Sequence, residues 1–143
     1  MATPISNATL VALRSVLEAD PDVDVGALFG SAVRDRLGPQ SDVDVYVRLP
    51  PGARWSLRRA GELAHAMERV VRREVDLVVE DRDATSTVLR MEVARHGKLI
   101  FERGPGLWTS VRADAFVDHA DMEPYLARCG AGIRRRLREG AGG

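Results

Sequence analysis

Apolar and polar positions along the chain repeat with two different periods, one typical of helices and one typical of strands. Apolar side chains that recur every three or four positions predict four helices, at residues 6–19, 31–37, 56–73 and 84–96. Short apolar or alternating segments predict four strands, at residues 23–29, 42–49, 74–79 and 98–102. Glycine, proline and aspartate clusters separate these segments, as expected for turns. The pattern therefore predicts helices and strands that alternate along the chain.

Such an alternation favours an α/β (α+β) fold in which helices flank one small sheet. The spacing alone leaves open which strand pairs are parallel and which are antiparallel. The last third of the chain has helical apolar spacing, interrupted at "CGAG" by its glycines. We therefore expect a core at residues 1–106 and a helical extension of the same domain at residues 107–143.

Composition removes several classes of protein from consideration. The chain has 143 residues with 21 basic and 21 acidic side chains, so its net charge is zero and predicts neither a nucleic-acid nor a membrane partner. The single cysteine, Cys129, excludes an intrachain disulfide and a cysteine-based metal site. No apolar run approaches the roughly 20 residues that span a bilayer. The default expectation is a cytoplasmic protein.

Two aspartates interrupt the alternating strand "DVDVYVRL" at residues 42–49. Asp42 and Asp44 project from the same face of a strand, roughly 6.6 Å apart along the backbone, while the valines between and after them point into the core. Two like charges at this distance repel each other, and a divalent cation would relieve that repulsion. Oxygen-only ligands favour Mg²⁺ or Mn²⁺ over Zn²⁺. Each aspartate taken alone is better explained by structure: Asp42 by a turn and Asp44 by an exposed strand position.

A third aspartate, Asp76, interrupts the apolar segment "EVDLVV". It must point away from its valine and leucine neighbours. If the strand at residues 74–79 lies beside the strand at residues 42–49, Asp76 reaches the same patch as Asp42 and Asp44.

Before these aspartates, an apolar run ends at Gly30 and Ser31. Glycine allows the backbone to approach a ligand closely. The N-terminus of a helix that begins at Ser31 would attract an anion, and the serine hydroxyl adds one donor. Arg34, one turn further on, would add positive charge. An anion site beside paired carboxylates predicts a nucleoside triphosphate as ligand.

The sequence "GS", ten intervening residues and then "DVD" resembles the signature of the polymerase-β-type nucleotidyltransferase superfamily. The short chain and its later segments "EVDLVV" and "ARHGKLIFERG" look like the minimal nucleotidyltransferase branch, which includes antitoxins of HEPN/MNT toxin–antitoxin modules. The resemblance covers roughly residues 8–103. Relatives often carry arginine directly after Gly-Ser, whereas this chain has Ala32.

This resemblance implies a fold, an activity and a partner. The fold would be a small mixed sheet flanked by helices. Asp42, Asp44 and Asp76 would be catalytic and would hold two Mg²⁺ ions, and Gly30, Ser31 and Arg34 would bind the phosphates of ATP. AMP would be transferred to a tyrosine of a HEPN ribonuclease toxin, which would silence it.

Two alternatives stay open at this stage. A non-catalytic antitoxin would neutralise its partner by binding alone. A small-molecule adenylyltransferase would modify an acceptor such as an antibiotic, although the chain shows no separate acceptor-binding domain.

Overall fold

A computed structural model describes residues 5–30, 33, 42–80 and 85–120 of the chain. Within these ranges the helices are α1 (Asn7–Ala19), α2 (Leu57–Val71), α3 (Thr87–His96) and α4 (residues 107–120). The strands are β1 (Val25–Phe29), β2 (Val43–Arg48), β3 (Val75–Val79) and β4 (Lys98–Glu102). Every element within the described ranges lies within about three residues of its predicted position. The helix predicted at residues 31–37 lies outside the described residues.

Three of the helices begin at a serine whose side chain caps the first turn. Ser6, Ser56 and Ser86 each accept a hydrogen bond from the backbone N–H three residues further on. A cap of this kind satisfies one of the free N–H groups of a helix and contributes about 1 kcal/mol. These serines therefore fix where α1, α2 and α3 begin.

The four strands form one mixed sheet in the order β3-β2-β1-β4. The central strand β1 is antiparallel to both of its neighbours, β2 and β4. Strand β3 is parallel to β2 and follows it through the α2 crossover. The mixed sheet flanked by helices confirms the predicted fold class, and β3 lies beside β2 as the position of Asp76 required.

Helices cover both faces of the sheet. Leu13 and Leu17 of α1 and Leu63 and Met67 of α2 form one core with Val43, Val45 and Val47 of β2 and with other apolar residues of the strands. On the opposite face, α3 and α4 contribute Val93 and Val111 to a second core, which contains Tyr46. Successive residues of a strand point to opposite faces. Asp44, Tyr46 and Arg48 therefore share the face covered by α3 and α4.

None of the helices in the described part of the chain is long and apolar enough to cross a membrane.

Candidate active site

The three predicted carboxylates lie at one end of the sheet, where β2 and β3 begin. Asp44 of β2 is the register partner of Asp76 of β3, and on its other side it is the partner of Phe29 at the end of β1. Asp42 immediately precedes β2. Asp42 and Asp76 are exposed, whereas Asp44 is half-buried. The parallel pairing therefore brings Asp76 next to Asp44, as the sequence predicted.

Asp44 lies where a negative charge is unfavourable. Burial, followed by the charges of Asp76 and Asp42 and a hydrogen bond with Asp76, raises its pKa from 3.8 to about 6. Among the described residues, those that shift this pKa are the like charges of Asp76 and Asp42, and none is a compensating cation. The arrangement is one that a bound divalent cation would stabilise.

Gly30 follows directly after β1 and lies against the Asp44 side chain. Its φ of +69° lies in the left-handed region that favours glycine. A Cβ at this position would collide with Oδ2 of Asp44 and would lie 3.2 Å from its Cγ. The absence of a side chain thus lets the backbone of the β1–β2 connection reach the carboxylate. Ser31 and Arg34, the other predicted phosphate ligands, lie outside the described residues.

The described side chains do not form a complete metal-binding site. Within that part of the chain, no group of three or more histidine, cysteine, aspartate or glutamate side chains is arranged to hold a metal ion. The adjacent carboxylates of Asp44 and Asp76 do fit a hard cation, because carboxylate oxygens are the ligands that Mg²⁺ prefers and because burial, and then the charge of Asp76, raises the pKa of Asp44. Asp42, which immediately precedes β2, would have to supply the third carboxylate.

Further along β2, the sheet face that carries Asp44 is covered by α3 and α4. Tyr46, two residues after Asp44, fills the core on this face and is 1% exposed. Burial, and then the charge of Glu80, raises the pKa of the Tyr46 hydroxyl. The open part of this face is therefore confined to the end that carries Asp44 and Asp76.

A chain of alternating charges holds α4 against the far end of the sheet. Glu80 contacts Arg48 at 3.5 Å and Arg90 at 3.4 Å. Arg48 reaches Asp114 at 2.8 Å, and Arg90 reaches Asp118 at 2.9 Å. This ionic chain connects β2, the end of β3, α3 and α4. Sequence analysis missed it, although aspartates four apart on a helix, at 114 and 118, are a weak signal of a shared face.

The sequence matches the family model of the polymerase beta nucleotidyltransferase domain over residues 12–105. The match covers most of the chain, including all four strands and the three carboxylates. The protein therefore belongs to the polymerase beta nucleotidyltransferase family. None of the curated proteins with which the sequence was compared matches it.

Solved structures show the same fold at low sequence identity. A crystal structure of a toxin–antitoxin with AMP-PNP is 21% identical, with a TM-score of 0.70 over 93% of this chain and 99% of that chain. The MntA–HepT toxin–antitoxin is 19% identical, with a TM-score of 0.67 over 93% of this chain and 99% of that chain. A complex of tri-AMPylated Shewanella oneidensis HEPN toxin with MNT antitoxin is 20% identical, with a TM-score of 0.65 over 91% of this chain and 96% of that chain. The fold of this protein is thus that of a nucleotidyltransferase subunit found in toxin–antitoxin complexes.

Proposed function

We propose that the protein is an antitoxin that transfers AMP from ATP to a tyrosine hydroxyl of a HEPN-type ribonuclease toxin and thereby silences it. The observation that carries this proposal is the paired register of Asp44 and Asp76, with Gly30 against the Asp44 carboxylate. These residues lie at the open end of the sheet in a chain of the nucleotidyltransferase family.

Each residue of the site has a role in this proposal. Asp42, Asp44 and Asp76 would hold two Mg²⁺ ions, with Mn²⁺ as the alternative. Bound there, the cations would neutralise charge on the phosphates. Gly30, Ser31 and Arg34 would bind the phosphate tail of ATP. Gly30 suits this role because its missing side chain leaves room for backbone N–H groups close to the carboxylates.

The chemical step is an in-line displacement. The acceptor oxygen forms a bond to the α-phosphorus, the bond between that phosphorus and the bridging oxygen breaks, and pyrophosphate leaves with that oxygen. Asp76, which is exposed beside Asp44, would help to take the proton of the acceptor hydroxyl. The protein mainly orients the reactants and balances their charge, which is what this class of transfer requires.

A protein acceptor is favoured by the fold comparisons. A neighbour of nearly equal length contains a tri-AMPylated HEPN toxin, and another contains AMP-PNP. This chain covers 99% of the AMP-PNP-bound neighbour and 96% of the neighbour in the AMPylated complex. A partner protein would supply the missing side of the site.

The test combines the purified protein, Mg²⁺ and the product of the neighbouring reading frame with ATP labelled either at the α- or at the γ-phosphate. We expect the partner to acquire the α label and not the γ label. Asp44→Asn and Asp76→Asn should each reduce the transfer at least about 100-fold, because each removes a carboxylate that the transition state requires. The control is Asp24→Asn, at the opposite end of the sheet, which should transfer normally.

Two outcomes would contradict the proposal. Transfer of the γ label would indicate phosphorylation and not AMP transfer. An unlabelled partner in a stable complex would indicate neutralisation by binding alone, and the Asp42→Asn/Asp44→Asn double variant would then protect cells as well as the parent protein does.

A further inference from the structure

The outer edge of β3 is an open strand edge that begins beside the site. β3 is the last strand of the sheet, and within the described residues no strand lies on its outer side. On its inner side, Val43 donates to the carbonyl of Glu74, and Glu80 donates to the carbonyl of Val47. In a parallel ladder this pattern directs the N–H and C=O groups of alternate residues inwards. Those of Val75, Leu77 and Val79 therefore point outwards.

A groove of about 830 Å³, lined by apolar residues together with the charged Arg48, Arg54 and Glu80, adjoins the same edge. Leu77 and Val79 of β3 line one side of it, and Trp55, Leu57 and Ala60, at the beginning of α2, line the other. Leu57 is 94% exposed, which is unusual for a leucine in a helix that packs on a core. The edge thus combines a row of main-chain groups with a place for apolar side chains.

We propose that an extended segment of the acceptor protein adds to the outer edge of β3 as a fifth strand and presents its hydroxyl residue beside Asp76. This inference rests on the proposed function and names how the acceptor is held. A main chain in extended conformation is the ligand that satisfies outward N–H and C=O groups at alternate residues. Its side chains alternate between the two faces of the sheet.

The register of such a strand links docking to the reaction. A residue opposite Asp76 would have its Cβ about 5 Å from that of Asp76 and on the face that carries Asp44. A hydroxyl side chain at this position would lie next to the paired carboxylates. Its two sequence neighbours would point to the α2 face, the face of Leu77 and Val79. The acceptor segment should therefore carry apolar residues on both sides of the hydroxyl residue.

Charge disfavours a second copy of this chain as the occupant. A second β3 would bring its own aspartate cluster to the same edge, and like charges on neighbouring strands repel each other. An acceptor segment without acidic residues at this position meets no such repulsion.

The first test is hydrogen–deuterium exchange at single-amide resolution, on the full-length protein alone and in complex with the product of the neighbouring reading frame. We expect the amides of Val75, Leu77 and Val79 to exchange quickly in the free protein and at least about tenfold more slowly in the complex. The inward amides of Asp76, Val78 and Glu80 should be protected in both states, which provides an internal control.

The second test is Val75→Pro, which removes an outward N–H group without removing a hydrogen bond of the sheet. Val75→Ala is the matched control, because it shortens the same side chain and keeps the N–H group. We expect the proline variant to weaken complex formation and AMP transfer at least about tenfold, and the alanine variant to change both less than about threefold. A thermal melt of each variant without partner checks that it is folded.

The outcomes separate this inference from the proposed function. AMP transfer in a complex whose outward amides remain unprotected would overturn the inference and leave the proposed function standing. Protected amides without AMP transfer would overturn the proposed function and leave the edge as a binding surface only. Protection in the free protein would overturn the inference: if it rises with concentration, a second copy covers the edge, and if it does not, the chain covers its own edge. Failure to form any complex would overturn both.

Discussion

The position of Asp44 lowers the stability of the folded protein at neutral pH. Burial and two neighbouring carboxylates raise its pKa from 3.8 to about 6, so the folded chain binds a proton at Asp44 more tightly than the unfolded chain does. The stability contributed by this proton is complete below about pH 4 and is lost as the pH rises to about 6. In metal-free buffer the carboxylate is therefore destabilising at neutral pH.

We predict that Asp44→Asn raises the stability of the metal-free protein at pH 8 by about 1–2 kcal/mol, a value reduced to allow for the partial exposure of the group. The melting temperature should rise by a few degrees at pH 8 and should be unchanged at pH 4. Thermal melts in the presence of a chelator measure this difference. Glu18→Gln, at an exposed position on α1, is the control, and an equal effect there would show that Asp44 is not special. Added Mg²⁺ should stabilise the parent protein at pH 8 and not the variant.

Gly30 allows a second prediction, because the chain contains a close control. Gly30 and Gly52 have φ values of +69° and +83°, but a Cβ at Gly52 would meet nothing within 4 Å. Gly52→Ala should cost only the backbone strain of about 1–2 kcal/mol. Gly30→Ala should cost at least about 1 kcal/mol more, because the new methyl group collides with Asp44. Urea unfolding measures both. Equal losses would show that Asp44 simply moves aside.

Only the Gly30 variant should also weaken binding of Mg²⁺ and of ATP, since only there does the new methyl group displace a carboxylate of the site. Titration of both variants with Mg²⁺ and ATP distinguishes an effect on the binding site from an effect of backbone strain.

The sequence predicted these site residues because each breaks a local pattern. Asp44 and Asp76 stand where alternation demands either an apolar or an uncharged residue, and a pattern break of this kind is visible without a structure. Arg90 shows the limit of this reasoning. It is only 8% exposed, yet arginine at a helical position is ordinarily interpreted as facing solvent. Its carboxylate partners come from β3 and α4, and nothing in the local sequence indicates them.

At the scale of elements, the ionic chain through Glu80 determines how α4 is attached. Two aspartates one turn apart on α4 each bind an arginine, and both arginines converge on Glu80. Opposite charges that alternate in a poorly hydrated setting stabilise one another only as a complete set. Loss of one inner member removes two of the four ion pairs at once.

We predict that Arg90→Met destabilises the protein by about 2–3 kcal/mol, because Glu80 then keeps, among the described residues, only Arg48 as a cationic partner and the half-buried Asp118 loses its ion pair with Arg90. The control is Arg58→Ala, whose ion pair with Glu62 on α2 is exposed and should contribute less than about 0.5 kcal/mol. Urea titration followed by circular dichroism measures both variants. A loss below about 1 kcal/mol for Arg90→Met would show that α4 is held mainly by its apolar contacts.

The elements themselves were largely predictable, but their directions were not. Ser56 and the apolar stripe of α2 define that helix without reference to the rest of the chain. The antiparallel pairing of β1 with β4, in contrast, joins residues that are far apart in sequence. Such pairing depends on which faces the helices cover, and short apolar segments contain no information about it.

At the scale of the whole molecule, the two helical layers share one sheet and should unfold together. The chain has two tryptophans, and they report on different layers: Trp55 packs against the α1–α2 core and Trp108 against the α3–α4 core. β1 contributes to both cores, with Leu28 on one face and Ala27 on the other. Neither layer can lose its packing without exposing this strand.

We therefore predict a single cooperative transition. In urea, the fluorescence of Trp55→Phe and Trp108→Phe, each of which retains one tryptophan, should give transitions with equal slopes, each at the midpoint that circular dichroism gives for the same variant. A tryptophan signal that precedes the circular dichroism signal in either variant would show that one layer melts independently.

Because β1 pairs with β4, the sheet cannot be completed until β4 has been synthesised. Val25 of β1 pairs with Glu102 of β4, roughly 75 residues later in the chain. The ribosome releases β1, β2, α2 and β3 first, and this group can assemble around the parallel pair while one edge of β1 still has no partner. That edge stays available to any passing strand until residues 98–102 emerge. At a typical synthesis rate the interval between β1 and β4 lasts several seconds, so this fold is most vulnerable to misassembly just before β4 arrives.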